Sequence, residues 1–130
     1  RMREVAELTS AAHGLHAQFH FKRNYPPTVN SPAEADFCAE VMASIVGAEQ
    51  VLNQEPTMGA EDFSFMLQAK PGAYCFIANG DGAHREMGHG AGPCQLHNTS
   101  YDFNDDLIAL GATYWVRLAE AWFQRGGQPA

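Results

Sequence analysis

A lone histidine, His97, lies on a short polar stretch that leads into a segment with a strongly apolar face. The acidic residues Asp102, Asp105 and Asp106 follow it closely and could accept its second ring N–H. An imidazole on a braced loop suits a metal ligand, because one nitrogen binds the cation while a hydrogen bond orients the other. A single histidine makes no site, and a loop histidine bonded to backbone fits the same residues. Both interpretations stay open on the residues alone.

A second candidate is the segment 58–64 (MGAEDFS), in which a glycine precedes the adjacent carboxylates Glu61 and Asp62. Glycine lets the backbone approach a ligand closely, and free N–H groups at a helix start suit an anion such as a substrate carboxylate. Two carboxylates at a helix start are also explained by the helix dipole and by capping. The segment therefore predicts either a substrate-binding turn or an ordinary helix start.

A third candidate lies in the glycine-rich segment 79–96, an 18-residue loop that contains His84, His89 and Cys94. Loops of this length usually have a function or are disordered. Together with His97, these three residues suggest a small zinc module, although their spacing matches no common structural zinc pattern. The zinc module is kept as a rival hypothesis.

Four helices are predicted to support these candidates. The first ends at Gly14, and the second opens with Pro32 behind a capping box of Ser31 and Glu34 and ends at Gly47. A short third helix follows the MGAEDFS segment and ends before Pro71. The fourth begins near Asp105 with Asn104 or Asp105 as its cap, carries an apolar stripe through Trp122, and ends at the glycines 126–127.

Three strands are predicted between these helices. Residues 15–22 alternate apolar and polar, which is typical of a strand with one wet face, so His16 and His20 are expected in solvent. Residues 51–52 form a short strand, and the wholly apolar segment 73–78 is typical of a strand buried on both faces. Cys75 and the helical Cys38 are accordingly expected to be core thiols.

Bulk composition narrows the class of protein. The 130 residues carry a net charge of −7, which disfavours nucleic acid or an anionic membrane as the main partner. No apolar run approaches the length of a membrane span. Three cysteines without CxxC spacing favour a reducing, cytoplasmic compartment. The first helix has no cap ahead of it, so we expect a piece of a longer polypeptide.

Several motifs together resemble one family in order and spacing. They are residues 25–30 (YPPTVN), 58–64, 71–74 (PGAY), 96–98 (LHN) and 101–105 (YDFND). The chain is similar to the C-terminal third of the metal-dependent amidohydrolases that include hippurate hydrolases, N-acyl-amino-acid hydrolases and plant indole-acetyl-amino-acid hydrolases. The resemblance implies an α/β fold, namely the C-terminal part of a zinc-peptidase-like catalytic domain with a mixed sheet flanked by helices. Residues 28–130 would form that part, and residues 1–27 would be the last helix and strand of an inserted α+β domain that covers the site and forms a homodimer.

The resemblance also implies roles for individual residues. His97 matches the last metal ligand of the family, and Glu61 and Asp62 match the turn that lines the substrate pocket. Two divalent cations (zinc, manganese, cobalt or nickel) and an N-acyl amino acid such as hippurate are implied as cofactor and substrate. The other ligands and the general-base glutamate would lie upstream in the missing N-terminal part, so no catalytic residue is expected in this chain and no activity from it alone. The rival is a non-catalytic dimerisation or ligand-binding domain on the same fold.

Overall fold

Four α-helices form the regular structure of the chain. The computed structural model describes residues 1–80, 82–85 and 96–126. In these ranges α1 spans Met2–Ala12, α2 Pro32–Val46, α3 Phe63–Ala69 and α4 Leu107–Gln124, with a short 3₁₀ helix at Ala48–Gln50. The four predicted helices are thus confirmed, and none of these helices has the length and apolar character that crossing a membrane requires.

The ends of α2 follow the predicted signals with one exception. Pro32 occupies the first turn of α2, and Gly47 ends the helix at a φ of +90°, a left-handed value that favours glycine. The predicted capping box at Ser31 is wrong, because the Ser31 side chain makes no cap hydrogen bond. Ser31 Oγ instead accepts a hydrogen bond from the Gly72 N–H at 3.2 Å, while the Ser31 N–H donates to the Gly72 carbonyl at 2.9 Å. Ser31 therefore joins the start of α2 to the segment after α3.

The core lies between α2 and α4. Phe37 and Val41 of α2 and Tyr114 of α4 are buried, and partly buried side chains surround them: Met42, Ile45, Leu118, Ala121 and Trp122. The ring centroids of Phe37 and Trp122 lie 5.9 Å apart. The Arg125 guanidinium lies 4.3 Å from the centroid of the Phe37 ring. This packing fixes α4, and α4 in turn fixes the end of the loop that carries His97.

A polar cluster fastens segment 73–78 to this core. The Cys75 thiol contacts the Tyr114 hydroxyl at 3.8 Å. Partial removal of the Cys75 thiol from water raises its pKa, and burial together with the neighbouring thiols of Cys38 and Cys75 raises the pKa of Tyr114. Segment 73–78 is thereby connected to α4.

The predicted strands are not present as β-ladders in residues 1–80, 82–85 and 96–126. Segments 15–22, 51–52 and 73–78 carry no strand assignment there, because a strand needs the backbone groups of a neighbour to complete its hydrogen bonds. A side chain takes that place at Tyr74, whose N–H donates to Asn30 Oδ1 at 2.7 Å and whose carbonyl accepts from Asn30 Nδ2 at 2.9 Å. The mixed sheet remains a prediction.

The burial expected for segment 73–78 is also wrong in this structure. Phe76 and Ile77 are 55% and 50% exposed, and Cys75 is exposed although it was predicted to be a core thiol. Cys38 on α2 is partly buried, which is closer to its prediction. An apolar strand is buried on both faces only when neighbouring strands and helices enclose it, and segment 73–78 has no neighbouring strand in the described ranges.

Helix α1 and the segment after it stand apart from the core. In the described ranges α1 packs against none of the other helices, and its apolar side chains Met2, Val5 and Leu8 are exposed. The Arg3 guanidinium lies 5.4 Å from the centroid of the Phe19 ring, which fastens α1 to the segment that follows it. This separation agrees with the predicted boundary near residue 27, which stays a prediction.

Candidate functional site

His97 is exposed on a tight turn and has an unusual backbone conformation. Its φ is +67°, and it is the one non-glycine residue with positive φ among the described residues. This left-handed region costs about 1–2 kcal/mol for a residue with a Cβ atom. The imidazole makes no hydrogen bond with the described part of the chain, so the interpretation of a backbone-bonded loop histidine finds no support there. The ring is open to an external ligand.

The turn after His97 is rigid. Asn98 Oδ1 accepts hydrogen bonds from the Ser100 N–H at 2.9 Å and from the Ser100 hydroxyl at 2.6 Å, and the Asn98 carbonyl accepts from the Tyr101 N–H at 3.1 Å. Arg85 Nη2 donates to the Ser100 carbonyl at 3.1 Å. Asn98 therefore shapes the turn from within, and Arg85 tethers it from outside.

The chain beyond the turn is held by Asn79 and His84. Asn79 Nδ2 donates to the Asp102 carbonyl at 2.8 Å, and Asn79 Oδ1 accepts from the Asn104 N–H at 3.0 Å. His84 Nε2 lies 3.0 Å from the same Asp102 carbonyl, an acceptor, so this ring nitrogen carries the proton in that hydrogen bond. Neither residue was singled out for this role from sequence. The only signal was the dipeptide Asn79–Gly80, which marks a turn after the apolar segment.

The start of α4 completes the support. Asn104 Oδ1 accepts from the Asp106 N–H at 3.2 Å, and its carbonyl accepts from the Leu107 N–H at 3.0 Å. The predicted cap at Asn104 or Asp105 is wrong, because Asp106 is the N-cap of α4 and no side chain caps the helix; Asn104 instead shapes the turn just ahead of it. The predicted hydrogen bond from the His97 ring to its acidic neighbours is absent within the described ranges. Asp102 contributes its backbone carbonyl, which accepts the hydrogen bonds from Asn79 and His84.

The second candidate, the turn at Glu61, is shaped from two sides. Ser64, which is fully buried, donates to the Glu61 carbonyl from its hydroxyl at 2.6 Å and from its N–H at 3.2 Å. The Phe63 ring packs against Tyr74 with the ring centroids 5.7 Å apart. Burial and the neighbouring Glu61 charge raise the pKa of Tyr74. Glu61 is half-buried, whereas Asp62 is exposed and makes no cap hydrogen bond.

The two candidate sites share one support but do not meet. In the described ranges no hydrogen bond, ion pair or ring contact joins Glu61 or Asp62 to His97. Both attach to the segment 72–79, the Glu61 turn through the ring contact of Phe63 with Tyr74 and the His97 loop through Asn79. The structure thus places the predicted substrate turn and the predicted ligand loop at opposite ends of one extended segment.

The described residues do not form a metal centre by themselves. Among the described residues there is no group of three or more His, Cys, Asp or Glu side chains that could hold a metal ion. Of the rival zinc module, His89 and Cys94 lie outside the described residues. The exposed imidazole of His97 is a nitrogen donor of the kind that zinc, cobalt and nickel accept. The role of His97 as a metal ligand stays a prediction.

Comparison with protein families decides the affiliation. The model of peptidase family M20/M25/M40 matches residues 6–121, which includes Glu61, Asp62 and His97. The chain belongs to this family. The resemblance predicted from the motifs is confirmed, and the zinc-peptidase-like architecture is supported at the level of the family.

Individual relatives of this M20-family chain include a hippurate hydrolase from Campylobacter jejuni, 36% identical over 95 residues, with 72% of this chain and 22% of the relative covered. IAA-amino acid hydrolase ILR1-like 4 from Arabidopsis thaliana is 35% identical, with 73% of this chain and 20% of the relative covered. Thermostable carboxypeptidase 1 from Saccharolobus solfataricus is 32% identical, with 91% and 28% covered. The chain thus spans between a fifth and three tenths of these relatives. No solved structure matches.

Proposed function

We propose that this chain supplies one metal ligand and one substrate-binding turn to an M20-family amidohydrolase. The ligand is His97, and the turn is formed by Glu61 and Asp62. The reaction is hydrolysis of the amide bond of an N-acyl amino acid, with hippurate as the representative substrate. The remaining metal ligands and the general base would come from the rest of the full-length polypeptide.

The observation that carries the proposal is the way in which His97 is presented. Its imidazole is exposed and engages nothing in the described part of the chain, while the turn around it is fixed by Asn98, Arg85 and Asn79. Backbone strain at a single exposed histidine is typical of a site that positions a reactive group. A structural histidine would instead be expected to pack or to hydrogen-bond.

Bound divalent cations would polarise the amide carbonyl and lower the pKa of an attacking water. The residues of this chain would hold a cation and orient the substrate. His97 would offer a ring nitrogen to one cation. Ser64 shapes the turn through the Glu61 backbone carbonyl, and the half-buried Glu61 carboxylate can accept a hydrogen bond from a substrate N–H.

The names of the relatives support this choice of substrate. Hippurate hydrolase and IAA-amino acid hydrolase are both named for acylated amino acids, whereas thermostable carboxypeptidase is named for peptides. The same proposal includes residues 1–27 as the end of an inserted domain, a homodimer formed through that domain, a cytoplasmic location and two divalent cations per site. The exposed apolar side chains of α1 support the dimer, because such a face needs cover.

Hydrolysis by the full-length protein tests the proposal. We expect the metal-free protein to be inactive and to recover hydrolysis of N-benzoylglycine on addition of Zn²⁺, Mn²⁺, Co²⁺ or Ni²⁺. The matched substrate control is a dipeptide with a free amino group and the same C-terminal glycine. Faster hydrolysis of the dipeptide than of N-benzoylglycine would show that the substrate is a peptide and not an N-acyl amino acid. Absence of hydrolysis with every substrate and metal, in a folded protein, would favour the non-catalytic rival.

A further inference from the structure

We propose that Asn79 is a positioning residue for the His97 metal ligand, an inference that rests on the proposed function. Its side-chain amide fastens the backbone that follows the His97 turn to the end of segment 73–78. Loss of this amide would leave the ligand present but misaligned.

The geometry of Asn79 is that of a two-point clamp. Its Nδ2 donates to the Asp102 carbonyl at 2.8 Å and its Oδ1 accepts from the Asn104 N–H at 3.0 Å. The carbonyl of one residue and the N–H of the second residue after it point to the same side of an extended chain, so one planar amide can bind both. Two bonds in one plane fix the direction of that chain as well as its position. Asn79, Asp102 and Asn104 are all half-buried, which limits competition from water.

The effect of this clamp reaches His97 through a short rigid path. Between His97 and Asp102 lies the turn that Asn98 closes, so displacement of Asp102 is transmitted to the turn and not absorbed within it. On the other side Asn104 forms the turn that leads into α4, which the core fixes. His84 donates to the Asp102 carbonyl at 3.0 Å, but the Asn104 N–H donates to Asn79, so Asn79 alone of these two side chains binds both backbone groups.

Asn30 offers a matched control within the same segment. Its side chain forms the same kind of two-point clamp, with Nδ2 to the Tyr74 carbonyl at 2.9 Å and Oδ1 from the Tyr74 N–H at 2.7 Å. Asn30 holds the far end of segment 73–78 and makes no hydrogen bond with the His97 loop in the described ranges. Substituting either asparagine by alanine removes one amide and two hydrogen bonds, but only one of the two substitutions loosens the ligand loop.

The experiment measures Co²⁺ binding by the full-length protein after removal of its metal. Asn79→Ala, Asn30→Ala and His97→Ala are compared with the wild type by Co²⁺ titration, by the visible spectrum of the bound Co²⁺ and by steady-state kinetics. We expect Asn79→Ala to weaken one Co²⁺ site about 10–100-fold, the range for residues that orient a metal ligand. Its spectrum should change and kcat should fall with little change in KM. Asn30→Ala should lower the melting temperature by a similar amount and keep the Co²⁺ affinity and spectrum of the wild type.

Each other result overturns a different statement. Wild-type Co²⁺ affinity and spectrum in Asn79→Ala, when His97→Ala loses one Co²⁺, would refute the positioning role alone. An equal loss of Co²⁺ affinity in Asn30→Ala would show that the loss in Asn79→Ala reflects general destabilisation and not positioning of His97. Retention of both Co²⁺ ions by His97→Ala would refute the proposed ligand and the role of Asn79 with it. If Asn79→Ala does not fold, Asn79→Asp decides, because it keeps the acceptor oxygen and replaces only the donor to Asp102.

Discussion

The turn at Glu61 makes a prediction that separates its two carboxylates. Glu61→Gln keeps the size of the side chain but removes the negative charge that helps to raise the pKa of Tyr74. This charge lies just ahead of α3, where the helix dipole favours it, so we expect a loss of about 0.3–1 kcal/mol in the free energy of unfolding. Asp62→Asn removes an exposed charge at the start of α3, and we expect a loss of about 0.3–1 kcal/mol. The two variants are therefore similar in stability.

Their effects on catalysis should differ. If Glu61 contacts substrate, Glu61→Gln in the full-length enzyme should lose about 1–2 kcal/mol of transition-state interaction, which lowers kcat/KM about 5–30-fold. Asp62→Asn should keep kcat/KM, because the Asp62 side chain is exposed and makes no cap hydrogen bond. Glu61→Gln should also bring the pKa of Tyr74 down towards its ordinary value, measured by NMR titration of labelled tyrosine. Unchanged kcat/KM in Glu61→Gln with a lowered melting temperature would reduce the turn to an ordinary helix start.

Three further predictions concern strain, pH and exposed surface. In the metal-free full-length protein, His97→Gly should be about 1 kcal/mol more stable than His97→Ala by denaturant titration, because glycine adopts positive φ without strain; equal stability would contradict the strain. Folding raises the pKa of Tyr114, so its contribution to the free energy of unfolding is complete below the ordinary tyrosine pKa of about 10 and is lost as pH rises through the folded value. Tyr114→Phe should therefore reduce the alkaline fall in the free energy of unfolding by up to about 1.4 kcal/mol per pH unit. Wild-type and variant curves of stability against pH that run parallel would refute this. The isolated chain should self-associate in sedimentation, because Leu52, Phe103 and Phe123 are 82%, 75% and 76% exposed; a monomer with a sharp thermal transition would contradict this.

The helices could be predicted from sequence because their signals are local. Pro32 and Gly47 bracket α2 in the chain as they do in the structure. The strands could not be predicted in the same way. Alternation in residues 15–22 indicates which side chains share a face, but it does not identify the strand that pairs with this segment. A strand prediction is a statement about two segments, whereas a helix prediction concerns one.

The candidate site was predictable in part for a related reason. His97 and Glu61 could be chosen because their residue types are rare and suited to chemistry, and the family match covers both. Asn79 could not, because a single amide has no pattern and its value lies in contacts with residues more than twenty positions away. The exposure of His97 was equally hidden, since sequence does not say whether a loop histidine turns to backbone or to solvent.

The central claim is that His97 binds a metal ion, and metal stoichiometry tests it most directly. Full-length wild-type enzyme and His97→Ala are stripped of metal, reloaded with Co²⁺ and analysed by elemental analysis after dialysis. We expect two metal ions per subunit in the wild type and one in the variant. The melting temperature of the metal-free protein should be almost unchanged, because the exposed imidazole packs against little. A His97→Ala enzyme that holds both metal ions with wild-type affinity would contradict the claim.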